Sequence, residues 1–230
     1  MKNTQTRVAN PWHSLPSREP FVLAGDRLQI EAFNRTAKRE HQVDLTLRPE
    51  PFLGNPEAPV LLLGLNPGWS REDRAWHRRR DFSELCCRNL AHSTSSYPFY
   101  LLNPQLDAPG SHWWRRRLRS VIEIVGLECT ARSLMCVEYF PYHTNSFSSR
   151  TPLVDSQHYG FALVRRAMTR RAEILLMRST RRWLEAVPEL DSYKHRHELR
   201  SVQNVSISPR NCPKGFMRLV SALRASDPVC

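Results

Sequence analysis

Three segments of this chain place small, polar and aromatic residues directly after apolar runs. The first is Gly64-Leu65-Asn66-Pro67-Gly68-Trp69. Pro67 fixes a turn, Gly68 lets backbone approach a ligand, and Asn66 offers both a donor and an acceptor. No Gly-Lys-Ser/Thr follows, so the segment is not a nucleotide P-loop. The second is Cys136-Val137-Glu138-Tyr139-Phe140-Pro141-Tyr142-His143-Thr144-Asn145, an apolar run that enters a polar, aromatic turn. The third is Ser206-Ile207-Ser208-Pro209-Arg210-Asn211, which leads into Lys214-Gly215-Phe216. At the carboxyl ends of parallel strands such loops converge, and helix N-termini there aim N–H groups at anions.

The elements that must position these segments follow from the pattern around them. Val60 to Leu65 is a continuous apolar run, the mark of a strand buried on both faces and stopped by the Asn-Pro-Gly turn. Ser133 to Tyr139, Glu173 to Met177 and Leu199 to Ile207 read as three more strands. Between them the spacing predicts a charged helix over Arg71 to Leu90 and a long loop over Ser93 to Pro109. A helix capped by Ser111 carries Trp114, Leu118, Val121, Ile122 and Val125, and another is capped by Asp155. A last helix presents Phe216, Leu219, Val220 and Leu223 on one face. Strands alternating with helices imply an α/β fold, a parallel sheet covered on both sides. Residues 1–58 are rich in proline and read as an arm with one helix, Arg27 to Lys38, packed on or extending a core domain over 59–230.

Composition narrows the class. The 230 residues carry 34 Lys and Arg against 22 Asp and Glu, a formal net charge of +12. The arginines come in blocks, Arg78 to Arg80, Arg115 to Arg117, Arg165 with Arg166, and Arg170 with Arg171, which favours a polyanionic partner such as nucleic acid. The longest apolar run falls far short of the roughly 20 residues a membrane span needs. Met1 to Asn10 is polar, without the apolar run of a secretory signal, so a reducing cytoplasm is the expected location. Six cysteines form no C-x-x-C pair and have no histidine at finger-like spacing, which argues against structural zinc or an iron–sulfur cluster. His195 and His197 read as a solvated or phosphate-facing turn, where a metal site would lack sulfur or carboxylate partners.

In this order, at these strand ends, the motifs resemble the uracil-DNA glycosylase superfamily, most closely its single-strand-selective monofunctional branch. Gly64-Leu65-Asn66-Pro67-Gly68 is similar to that branch's G-M-N-P-G and to the G-I-N-P-G of the mismatch-specific branch. Ser208-Pro209-Arg210-Asn211 with Lys214-Gly215-Phe216 resembles its H-P-S-P-R-N-P followed by K-G-W. The resemblance spans about Pro59 to Ala225. It implies a three-layer α/β/α fold with a central four-stranded parallel sheet, a flipped base held at the strand ends, and hydrolysis of the base–sugar bond. It assigns Asn66 to the attacking water. It places Gly64 and Leu65 around the base, with Phe99, in Tyr97-Pro98-Phe99-Tyr100, as the stacking ring and Trp69 as the second candidate for it. Gly68, Ser208, Pro209, Arg210, Asn211 and Lys214 fall to DNA contact, Arg210 as wedge or phosphate ligand.

Two departures from the family pattern change the expected chemistry. Ser206 stands where the family has the His that stabilises the departing base, and a hydroxyl is a weaker partner for developing negative charge. His143 is the residue expected to take over that role. Placing Pro141 on the Pro of the family's N-H-C-P puts Glu138 where the uracil-reading Asn stands; in another register Asn145 is the base reader. An ionised carboxylate would face uracil O4 with like polarity. With cytosine it accepts from the N4 amino group, and once protonated it donates to N3. Burial raises a carboxyl's pKa and favours the protonated form.

The expected activity is therefore monofunctional removal of a pyrimidine, a modified cytosine such as phage genomes carry, in the manner of the superfamily's bacterial defence proteins. No Lys beside Asn66 suggests a Schiff-base lyase. Ordinary repair of uracil or a damaged pyrimidine is one alternative, and a catalytically weak DNA-binding module of the same fold is another. DNA is the expected partner of a monomer, with no cofactor, no metal and no membrane.

Overall fold

The computed structural model describes residues 8–225 and is an α/β fold around a five-stranded mixed sheet. Its strands are β1 (Phe52–Gly54), β2 (Val60–Leu63), β3 (Leu134–Val137), β4 (Glu173–Leu176) and β5 (Arg196–Glu198), in spatial order β1-β3-β2-β4-β5. β3, β2, β4 and β5 pair in parallel, and β1 adds an antiparallel edge against β3. The sheet is thus larger than the all-parallel four-stranded one expected, because the proline-rich arm contributes a strand.

The central strand shows why an unbroken apolar run was needed. Leu61 and Leu63 face a core built with Ile30, Tyr159, Leu163, Val164 and Trp183, while Val60 and Leu62 face a second core with Phe82, Trp114, Val121, Phe216 and Leu219. The first core is supplied by α1 (Ala24–Thr36), α7 (Gln157–Thr169) and α8 (Thr180–Ala186). On the other face lie α2 (Arg71–Arg78), α3 (Arg80–Leu90), α4 (Pro109–Arg117), α5 (Arg119–Val125), α6 (Leu127–Ser133) and α9 (Phe216–Ala225), α2 the least buried of them. The chain leaving β2 therefore covers one face and the chain leaving β3 covers the other. Their carboxyl ends diverge around a crevice, where ligands of open α/β sheets collect.

Several boundaries differ from expectation for local reasons. The helix over 71–90 is two, broken where Arg79 takes an extended conformation. The helix over 111–125 is also two, starting at Pro109 and interrupted at Leu118, and Ser111 lies buried within its first turn rather than capping it. Helix α7 starts after Ser156 rather than directly after Asp155. Residues 93–109 include a short 3-10 turn, Tyr100–Leu102, whose side chains are buried.

The fourth predicted strand, 199–207, is irregular, and the chain pairs one step earlier at β5. The 201–206 carbonyls bond the Asn211 amide instead of a neighbouring strand: its Nδ2 donates to Asn204 O (2.7 Å), Ser206 O (2.9 Å) and Ser201 O (3.4 Å). Its Oδ1 accepts from Ser201 N (2.9 Å). Asn211→Ala should therefore lower unfolding stability by about 1 to 2 kcal/mol, read from urea midpoints at constant slope, since it removes several part-buried hydrogen bonds to backbone at once.

The arm is part of the packed structure. Trp12, Val22, Leu23 and Ile30 lie in the core, and Tyr142 OH donates to Asp26 Oδ2 (2.6 Å) while accepting from Leu23 N (3.2 Å). Residues 1–7, the start of the stretch read as free of a secretory signal, and 226–230, with Cys230, lie outside the described residues. Among the described residues, no helix is long and apolar enough to cross a membrane.

Candidate functional site

At the carboxyl ends of β2, β3 and β4 lies a cavity of about 520 Å³, with a smaller recess of about 40 Å³ beneath it. Leu65, Asn66, Gly68, Trp69, Glu138 and Asn145 line the cavity, so six of the expected site residues share one wall system. Gly64 lines the recess. Glu50, Trp113, Trp114, Phe147 and Arg178 also line it, and the sequence marked only Trp114 of these, as a helix-face residue rather than a site residue.

Asn66 is held in a defined orientation. Its Nδ2 donates to Pro67 O (3.0 Å) and to Thr144 Oγ1 (2.9 Å). A carbonyl can only accept, so the amide nitrogen must face Pro67 and Oδ1 is turned the other way. Among the described residues Oδ1 has no hydrogen-bond partner, which leaves it free to accept from a water or a ligand. Trp183 Nε1 donates to Gly64 O (2.7 Å) and pins the strand end below it.

Glu138 stands directly after β3. Its backbone N donates to Pro51 O (2.9 Å), and Cys136 Sγ lies 3.7 Å from Oε1. Oε2 is buried without any partner. A Cβ at residue 64 would come within 2.1 Å of that oxygen, so only glycine leaves room for the carboxyl at this strand end. Burial, followed by the negative charge of Glu50, pushes the Glu138 pKa up to about 8; the Cys136 contact and Arg178 oppose this in part. At neutral pH the carboxyl is mainly protonated, an acid facing a cavity.

Glu50 is the second buried carboxyl of the lining. Tyr100 OH donates to its Oε1 (2.5 Å), and burial raises its pKa against the opposing charge of His143. Glu50, His77 and His143 are all buried, with ligand-type atoms within 4.8 Å of one another, a set that satisfies the spacing for a metal ion. The hydrogen bonds do not favour one. His143 directs Nδ1 at Gly68 O (3.2 Å) and Nε2 at Arg48 O (2.9 Å), so both nitrogens face backbone carbonyls and neither is turned to a shared ion. His77 accepts from Arg48 N at Nδ1 (3.1 Å), and burial, then the charges of His143 and Arg48, pull its pKa down to about 2. The trio braces the 48–50 and 66–68 segments against each other.

Three sequence expectations are corrected here. His143 does not face the cavity: it is buried behind the Gly68 turn and spends both nitrogens on backbone. Phe99 is fully buried, packed edge-on to Trp114 with ring centroids 5.0 Å apart, and cannot stack on a ligand; the proline-flanked aromatic segment closes core rather than site. Trp113, 38 % exposed, and the buried Trp114 line both cavity and recess, and of the two Trp113 is the accessible ring. Ser206 lies outside the lining, its hydroxyl donating to Asn204 Oδ1 (2.9 Å), and its neighbour Val205 reaches the recess. Of the third segment, Ser208 accepts from Asn211 N at 3.3 Å and Asn211 is buried, so both organise the loop, while Pro209, Arg210 and Lys214 are exposed and do not line the cavity.

The His195 and His197 turn does have a carboxylate partner. Glu173 Oε1 meets His195 Nδ1 at 3.0 Å and Oε2 meets His197 Nε2 at 2.5 Å. This ties β5 to the start of β4. The sequence distance between residues 173 and 195 hid the pairing.

No family model, curated protein or solved structure matches the chain.

Proposed function

We propose that this chain is a monofunctional DNA glycosylase that takes an extruded pyrimidine of the cytosine type into the cavity and hydrolyses its bond to the sugar. One observation carries the reading: the buried Glu138 carboxyl, whose Oε2 has no partner among the described residues, lines the same cavity as Asn66, across the β2–β3 crevice. A protonated carboxyl both donates and accepts, matching the N3 acceptor and N4 amino donor of cytosine. Uracil offers a donor and an acceptor in the opposite order, which a carboxyl matches only by exchanging the roles of its two oxygens. The raised pKa of Glu138 supports the protonated form at neutral pH.

The chemistry follows from these two groups. Glu138 gives its proton to N3, so the pyrimidine departs as a neutral base when the C1′–N1 bond breaks and the electron pair moves onto the ring. Water adds to C1′, oriented by Asn66 Oδ1, and its proton returns through solvent to the carboxylate. Trp113 supplies the exposed ring against which an unstacked base packs, in place of Phe99. An enzyme excising plain cytosine would attack its own genome, so a substituent on C5 must be selected as well, and a cavity of about 520 Å³ exceeds the room a bare pyrimidine needs. This is consistent with a defence role against modified phage DNA.

Abasic-site formation is the test. On oligonucleotides carrying uracil, cytosine, hydroxymethylcytosine or its glucosylated form, release is expected from the modified cytosines and not from uracil. Release from uracil alone would return the chain to ordinary repair, and binding without release from any of the four would favour a DNA-binding module.

A further inference from the structure

Several arginines of the described structure pair with a carboxylate: Arg74 with Asp44, Arg119 with Glu123, Arg165 with Glu189, Arg166 with Glu57. Two others, without such a pair, stand together beside the cavity. Arg178, exposed just beyond β4, lines both cavity and recess, and among the described residues no carboxylate lies within ion-pair distance of it. Glu50, Asp73 and Glu138 line the same cavity, and Glu138, whose pKa the charge of Arg178 lowers in part, is mainly protonated at neutral pH. Arg117, at the end of α4, is half-buried with its guanidinium 5.3 Å from the Trp113 ring centroid. Its Nη1 reaches only neutral oxygens, Asn204 Oδ1 at 3.2 Å and Ser206 Oγ at 3.4 Å, and its Nε is buried with no partner. Burial, then the charges of Arg178 and Arg116, lower the Arg117 pKa from its ordinary value. Arg178 at the rim and Arg117 against Trp113 thus keep unspent donors, and among the described residues neither has a carboxylate partner.

We propose that Arg117 and Arg178 form a phosphate site at the cavity mouth, occupied by the phosphodiester adjoining the nucleotide whose base enters beside Trp113. Guanidinium forks match phosphate oxygens, and a bound anion relieves the like-charge repulsion that otherwise opposes this arrangement. The nucleic-acid half of this assignment rests on the glycosylase reading; the anion site itself does not. It also moves the main phosphate contact from the expected Arg210 to residues on α4 and after β4.

The experiment has two arms. Inorganic phosphate is titrated at low ionic strength against tryptophan fluorescence, for the unaltered chain and for Arg117→Gln, Arg178→Gln and, as control, the exposed and paired Arg80→Gln. Each rim variant should weaken binding about tenfold, with the control unchanged and the thermal melting curves of all four alike. No phosphate binding by the unaltered chain, or equal binding by all four proteins, overturns the site. The second arm uses a single-stranded oligonucleotide with one abasic-analogue position and a neutral methylphosphonate at the neighbouring linkage. The unaltered chain should lose about tenfold in affinity on that replacement, Arg178→Gln should lose almost nothing further, and each rim variant should lower the salt slope by about one. If phosphate binding depends on the arginines but the methylphosphonate is tolerated equally by all, the anion site stands and its occupation by DNA backbone is overturned. If the oligonucleotide is not bound at all while phosphate is, the glycosylase reading fails and the anion site survives it.

Discussion

Asn66→Ala should reduce base release about 1,000-fold while changing oligonucleotide affinity less than about threefold, because it removes the group that orients water and little of the binding surface. The lost contacts are two hydrogen bonds at the edge of a turn, to Pro67 O and Thr144 Oγ1. The turn is held independently through His143 and Gly68, so melting temperature should shift by only a few degrees. Single-turnover release under saturating enzyme separates the chemical step from binding. Equal loss of release and affinity would mean that Asn66 holds the ligand rather than the water.

Glu138→Gln is expected to have the larger effect on pH behaviour. The folded carboxyl titrates at about 8 against an ordinary value of 4.5. Below about pH 4.5 the folded and unfolded forms both hold the proton, and the group's contribution is fully present. Between the two values the folded form binds a proton that the unfolded chain releases, so stability falls as pH rises, by at most about 1.4 kcal/mol per pH unit from this group. Urea unfolding from pH 5 to 8.5 should show that decline in the unaltered chain and a visibly shallower one in Glu138→Gln, whose amide fills the same space without titrating. Parallel curves would sink the assignment of a proton to this carboxyl. In activity, release from a cytosine-type base should decline above pH 8 in the unaltered chain. In Glu138→Gln it should be about 100-fold slower at neutral pH, without that alkaline limb.

What sequence revealed and what it hid have physical causes. β2 and β3 were legible because strands buried on both faces must be apolar at every position; the turn that ends β2 pointed to Asn66, whereas Glu138 was reached through the motif register around Pro141. β5 was not, because an edge strand reading Arg-His-Glu needs no apolar face; its backbone pairing to β4 and the Glu173 contacts hold it. The helix breaks at Arg79 and Leu118 were invisible because the apolar spacing continues across both. Glu50 and Arg178 are single charges outside any motif, brought to the cavity only by tertiary folding. Phe99 and Trp113 exchanged roles because an aromatic residue beside a proline looks like an exposed loop, and one followed by Arg115 to Arg117 looks like a helix face.

The sheet order also sets a timetable. β2 is central, yet its two neighbours, β3 and β4, come much later in the chain, and β1 can pair only once β3 exists. During synthesis the apolar run at 60–63 must therefore wait without its strand partners until β3 and β4 have emerged, while the arm before it finds only local contacts, such as Asn89 on β1. A fold closed by such distant pairings forms slowly and late. The same late closure assembles the site, since Asn66 and Glu138 lie at the ends of strands that meet only in that step.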